Sequence, residues 1–102
     1  MNEPERYVPE PVLSQEMLSE VQRLAYLLMS ISEIAIWVEV EQHYALSWME
    51  DRFHPFFLAV QRGRMQLEIE MREKLIPLAQ LGEPSALIFV EKMIEKQKIL
   101  DS

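Results

Sequence analysis

The side chains of this chain that could do chemistry are few and scattered. His43 and His54 are the only two histidines and there is no cysteine, so no His/Cys set stands at the ligand spacing of a metal site. Glu50 and Asp51 could pair as acids, but adjacent residues on a helix point in different directions, so a solvated face is the simpler reading. No glycine-rich loop exists to cradle a phosphate. These absences predict no catalytic residue, no metal and no cofactor, and hence a non-enzyme. A second set of residues has the chemistry of recognition. Gln42, His43 and Ser47 can donate to base edges, and Arg52, Arg62 and Arg64, with Arg23, can contact phosphates if the fold gathers them. Ordinary surface ion pairs would account for the same arginines.

Composition bounds what can hold these residues. A chain of 102 residues is expected to form one modest core. Hydrophobic residues make up 49% and charged residues 26%, with only two glycines and seven methionines, which points to an all-α fold. The net charge of −7 at pH 7 removes any general attraction to phosphate. A local basic patch or a basic protein partner stays open. The absence of cysteine, of signal-peptide character in Met1-Asn2-Glu3-Pro4 and of any apolar run near the ~20 residues that span a bilayer predicts a cytoplasmic chain with no membrane partner.

Residues 1–12 carry Pro4, Pro9 and Pro11 among Glu3, Glu5 and Glu10, which predicts a flexible extended arm with Tyr7 and Val8 as its only anchors. Ser14 is placed to cap a first helix, with Leu13 and Leu18 as a hydrophobic staple. Met17, Leu18, Val21, Leu24, Ala25 and Leu28 give that helix one core-facing stripe. Ser30 and Glu33 have the capping-box spacing and open a second helix ending near Trp37 or Val38. After a turn at Glu39-Val40, a third helix is expected from Glu41 or Gln42 to about Asp51. Residues 31–50 therefore match a helix-turn-helix: Ala35 is the small residue at the crossing, and Ile34, Val38, Val40, Ala45 and Trp48 pin the helices. Glu39 stands where that motif usually has glycine, so the turn is expected to be made differently. A plain helical corner would satisfy much of the same pattern.

His54-Pro55 breaks the chain and starts a long helix to about Leu81. Residues 64–72 also alternate like a strand, but Met, Gln, Leu, Glu and Arg favour the helix, and Glu68 with Arg72 and Glu70 with Lys74 add pairs four apart. Pro77 should kink the last turn or stop the helix near Ile76. Phe56, Val60, Gly63, Leu67, Met71 and Leu78 form one stripe. Leu58, Met65, Ile69 and Ile76 form a second, which predicts burial between copies of the chain. Gly82 and Pro84 then punctuate the sequence before a last helix from about Ser85 to Leu100. The expected organisation is an arm (1–12), a helix-turn-helix-like three-helix unit (13–54), and a long helix plus C-terminal helix for oligomerisation (55–102).

In this order the motifs resemble those of the DNA-packaging terminase small subunits of tailed phages and prophages. The carrying residues are Ser32-Glu33-Ile34-Ala35, Ala59-Val60-Gln61-Arg62-Gly63-Arg64, and Leu78-Ala79-Gln80-Leu81-Gly82-Glu83-Pro84-Ser85-Ala86. The resemblance covers about residues 20–95. It implies a helix-turn-helix that recognises double-stranded viral DNA, long helices that assemble a homo-oligomeric ring, and a large terminase (motor) subunit as partner in the cytoplasm of a bacterial host. The alternative is an acidic all-α interaction module without DNA binding.

Overall fold

A computed structural model describes residues 10–102; the remainder of the expected arm, with Tyr7 and Val8, lies outside the described residues. Five helices and no strand occur among them: α1 (Gln15–Tyr26), α2 (Ile31–Trp37), α3 (Gln42–Trp48), α4 (Pro55–Gln80) and α5 (Pro84–Asp101). The protein is all-α, with a long helix and a C-terminal helix.

Four of the five helices start where a side chain satisfies free N–H groups of the first turn, whereas α3 starts at Glu41 without a side-chain cap. The Ser14 hydroxyl accepts the Met17 N–H at 3.1 Å. Ser30 and Glu33 form the full capping box, with Ser30 N–H donating to Glu33 Oε1 at 2.9 Å and Glu33 N–H donating to Ser30 Oγ at 3.1 Å. The Ser30 N–H, chiefly, and the Ser30 hydroxyl hold the Glu33 carboxyl below its ordinary range. His54 does the same for α4, its Nδ1 accepting the Phe56 N–H at 3.0 Å while its ring stacks on Trp48. The Glu83 carboxylate accepts from both Ser85 and Ala86 at the head of α5, with Pro84 in the first turn.

Three helices end in the same way. In α1 the Met29 N–H reaches Leu24 O and the Leu28 N–H reaches Ala25 O. In α2 Val40 reaches Ala35 and Glu39 reaches Ile36, and in α4 Glu83 reaches Leu78 and Gly82 reaches Ala79. This is the Schellman pattern, which requires one residue in the left-handed region. Gly82 takes it with φ 87°, but Leu28 and Glu39 take it too, at 62° and 60°. In the turn after α2, Glu39 therefore takes the left-handed conformation that glycine adopts after α4, so the replacement of glycine does not change how this turn is closed. A bulky residue there costs about 1–2 kcal/mol, which the burial of Val40 behind it offsets.

Helix α3 is shorter than the sequence suggests. Glu50 N–H bonds Ser47 O, Asp51 N–H bonds Trp48 O, and the Asp51 carboxylate accepts Phe53 N–H, so the chain tightens and turns before Asp51. Helix α4 instead runs through Pro77 to Gln80. The proline lies in its last turn, where it removes one ladder bond, and Leu81 N–H still closes on Pro77 O at 3.1 Å.

The chain divides into two compact units, Met1–Arg64 and Met65–Ser102, so the first ten residues of α4 belong with α1–α3. Their core is Val21, Leu24, Ala25, Ile34, Ala35, Val40, Ala45, Trp48, Phe56, Ala59 and Val60, with Leu13, Met17, Leu18, Ile31 and Val38 partly buried against it. The indole N–H of buried Trp48 donates to the Glu10 carboxylate, which satisfies its one polar atom. Gly63 is buried because α4 meets α1 there: a Cβ would stand 2.9 Å from Ala25 Cβ and from Tyr26 N, and closer still to the Gln22 carbonyl. In the second unit only Ala79 and Ala86 are buried. The stripe expected to serve the core splits accordingly. Phe56, Val60 and Gly63 are buried and Leu67 half-buried, whereas Met71 and Leu78 are exposed beyond the end of the first unit.

Candidate nucleic-acid interface

A recognition helix needs a rigid inner face and a free outer one. Ala45 and Trp48 supply the first: both are buried, and Trp48 stacks with Tyr44 and His54 at ring distances of 5.9 and 4.7 Å and lies tilted against Phe56 at 5.5 Å. The outer face of α3 carries Gln42, His43 and Ser47, all exposed and spaced for one side of a helix, and Glu50 lies exposed in the turn after it. His43 is not free on that face. Its Nδ1 lies 3.2 Å from Glu41 Oε2, and its ring lies against Tyr44. Leu46 is 54% exposed among them, a residue that apolar–polar sorting of α3 passes over. Its position four after Gln42 and three after His43 is the signal that places it there, and an exposed leucine suits a thymine methyl.

The arginines do not form one cluster. Arg23 is committed to Glu20, which it bonds through both Nε and Nη2. That pairing, chiefly, lowers the Glu20 pKa, and the Trp37 indole N–H adds to it by donating to the same carboxylate. Arg52, Arg62 and Arg64 make no ion pair among the described residues. Arg52 lies exposed in the loop after α3, and Arg62 is exposed on α4. Arg64 is half-buried and leaves the helix about 200° from Arg62, as any two residues two apart on an α-helix do. Only one of this pair can face a given surface of the helix.

The stripe assigned to oligomerisation is bare. Leu58, Met65, Ile69 and Ile76 are each exposed. Leu87, Ile88, Phe89 and Ile94 of α5 are exposed as well. Among the described residues no three His, Cys, Asp or Glu side chains converge as metal ligands, and no helix is long and apolar enough to cross a membrane. No family model matches the chain, and comparison with curated proteins and with solved structures finds no relative. The resemblance to terminase small subunits therefore rests on its three motifs and their order.

Proposed function

We propose that this chain is a non-enzymatic adaptor that acts as an oligomer and recognises double-stranded DNA, in the manner of the terminase small subunits its motifs resemble. The observation that carries the reading is the α2–α3 corner. Ala35 is buried at the crossing, Glu39 takes the left-handed angle of the turn, Val40 is buried behind it, and the front of α3 is left to solvent. The left-handed close also ends α1 and α4, so the support comes from the buried inner face of α3, held on α2, together with its exposed outer face. Gln42, His43, Leu46 and Ser47 would read base edges, and Arg52 and Arg62 would hold phosphates. The chain would hand DNA to a motor subunit in a bacterial cytoplasm.

One observation favours the second reading, an acidic interaction module with no DNA affinity. Residues 1–64 hold ten aspartates and glutamates against five arginines and no lysine, so an isolated unit repels DNA. Binding on the first reading therefore depends on several copies contributing arginines to one duplex, which an oligomer supplies.

The deciding experiment is the native mass of the purified chain with and without duplex DNA at low salt. An oligomer that shifts on adding DNA, with a shift that weakens steeply as salt rises and is abolished by Arg62→Ala with Arg64→Ala, supports the adaptor. An oligomer indifferent to every duplex offered supports the interaction module.

A further inference from the structure

The second unit presents two different apolar faces. On α4, Glu68, Arg72, Leu75 and Ala79 repeat at steps of four and three, and on α5 Ala86, Val90 and Met93 do the same, so each set forms one row along its helix. Buried Ala79 and Ala86 and half-buried Leu75, Val90 and Met93 mark these rows as the inner sides of the pair. Along one flank of the rows a groove of about 200 Å³ opens, lined by Glu68, Met71, Arg72, Phe89, Lys92, Met93 and Lys96. On α4 the other flank lies about 120° to 200° around the helix from Met71. It carries Met65, Ile69, Glu73 and Ile76, and on α5 it carries Leu87, Glu91, Ile94 and Lys98.

Charge distinguishes the two faces. The groove has an apolar floor of Met71, Phe89 and Met93 and three cations, Arg72, Lys92 and Lys96, against one carboxylate, Glu68, which is already bonded to Arg72 Nη2 at 3.2 Å. The Arg72 Nε is buried and has no hydrogen-bond partner among the described residues, an orphan donor of the kind that costs free energy until an acceptor arrives. The opposite face has apolar side chains of similar number, with Met65 57% and Ile69 49% exposed, and two carboxylates, Glu73 and Glu91, against the single cation Lys98.

We infer that the groove of one copy receives the Met65–Ile69–Ile76 face of the next, with Glu73 and Glu91 of the incoming copy meeting Arg72, Lys92 and Lys96. The inference rests on the oligomer of the proposed function and names its contact. Each copy then uses its front on one neighbour and its back on the other. Such a head-to-tail contact repeats and closes into a ring when the rotation allows, whereas a two-fold contact stops at a dimer. Fit of opposite charges over an apolar centre also sets the direction of the contact, since like faces would bring cations against cations.

Two full-length variants test this. In one the groove is reversed by Lys92→Glu with Lys96→Glu; in the other the opposite face is disabled by Met65→Glu with Ile69→Glu. All four positions are exposed, so each variant should keep its helical circular dichroism. Each alone should sediment as a monomer, and an equimolar mixture should give a dimer of one of each and nothing larger, because one intact groove meets one intact face. Adding Glu73→Lys and Glu91→Lys to the groove variant should restore assembly by exchanging the charges. A groove variant that keeps the wild-type mass, a mixture of helical variants that stays monomeric, or a charge-exchanged chain that fails to assemble would each overturn the inference. Wild-type protein that is itself monomeric would overturn the oligomer as well, whereas an assembling, DNA-binding wild type with an indifferent groove variant would overturn this contact alone.

Discussion

Replacing Gly63 by alanine should destabilise the protein, against the ordinary preference of helices. Alanine is better than glycine inside a helix by about 1 kcal/mol, so an exposed glycine at this point of α4 would make the change favourable. Gly63 is instead pressed on α1. Its new Cβ would overlap the Gln22 carbonyl oxygen and stand 2.9 Å from both Ala25 Cβ and Tyr26 N. Two of these three atoms are backbone and the third is a buried methyl, so no flexible side chain can swing away. Overpacking of this kind costs about 1–3 kcal/mol, occasionally more, and here it must separate α1 from α4. The overlap with the Gln22 carbonyl places the cost at the upper end, about 2–3 kcal/mol, and the helix preference of about 1 kcal/mol leaves a net loss of about 1–2 kcal/mol. For a unit of this size that corresponds to roughly 4–16 °C in Tm. Urea or thermal unfolding followed by far-ultraviolet circular dichroism measures it directly. A Gly63→Ala protein as stable as the wild type, or more so, would refute the close approach of the two helices.

The left-handed residues predict the opposite sign. Leu28→Gly and Glu39→Gly relieve backbone strain at exposed positions and should each raise stability by about 1 kcal/mol in the same assay; a loss of that size would contradict the Schellman turns. Because the Glu33 carboxyl is held below the ordinary glutamate value of 4.5 by the Ser30 bonds, its cap stabilises α2 above that pH and fails as pH falls through the lower folded value. Acid titration of Glu33→Gln should therefore show a shallower loss of stability than wild type, and identical curves would rule out the capping box as the cause. His54→Ala removes both the acceptor for Phe56 N–H and the ring stacked on Trp48, and should cost about 1–2 kcal/mol of unfolding free energy.

What the sequence made legible was local. Ser14, Ser30 and Glu33 announce their helices because a cap is a contact within three residues, and Pro55, Gly82 and Pro84 mark breaks for equally local reasons. The apolar period of α1 identifies Val21, Leu24 and Ala25 because all three lie on one face, but it misplaces Leu28, which lies past the end of the helix in the left-handed turn and is exposed. Glu39 misled because its left-handed angle is imposed by Val40 packing into the core, a tertiary gain that outweighs a local preference for glycine. The long helix misled in another way: its stripe from Phe56 to Leu78 is continuous in sequence, yet the core of the first unit ends at Gly63. Spacing reveals that a face is apolar but not how far its partner extends. Among the candidate recognition residues, spacing placed Gln42, His43 and Ser47 on the outer face of α3. It could not foresee that His43 would pair with Glu41, whereas the divergence of Arg62 and Arg64 follows from their spacing on a helix alone.

The central claim is that the bare helix faces of residues 65–102 are contact surfaces between copies of this chain. Sedimentation equilibrium of the full-length protein at micromolar concentration and physiological salt tests it most directly. The account predicts a mass several times that of one chain, falling to one chain on Met65→Glu with Ile69→Glu. A wild-type protein that remains a stable monomer with those side chains in water would contradict it.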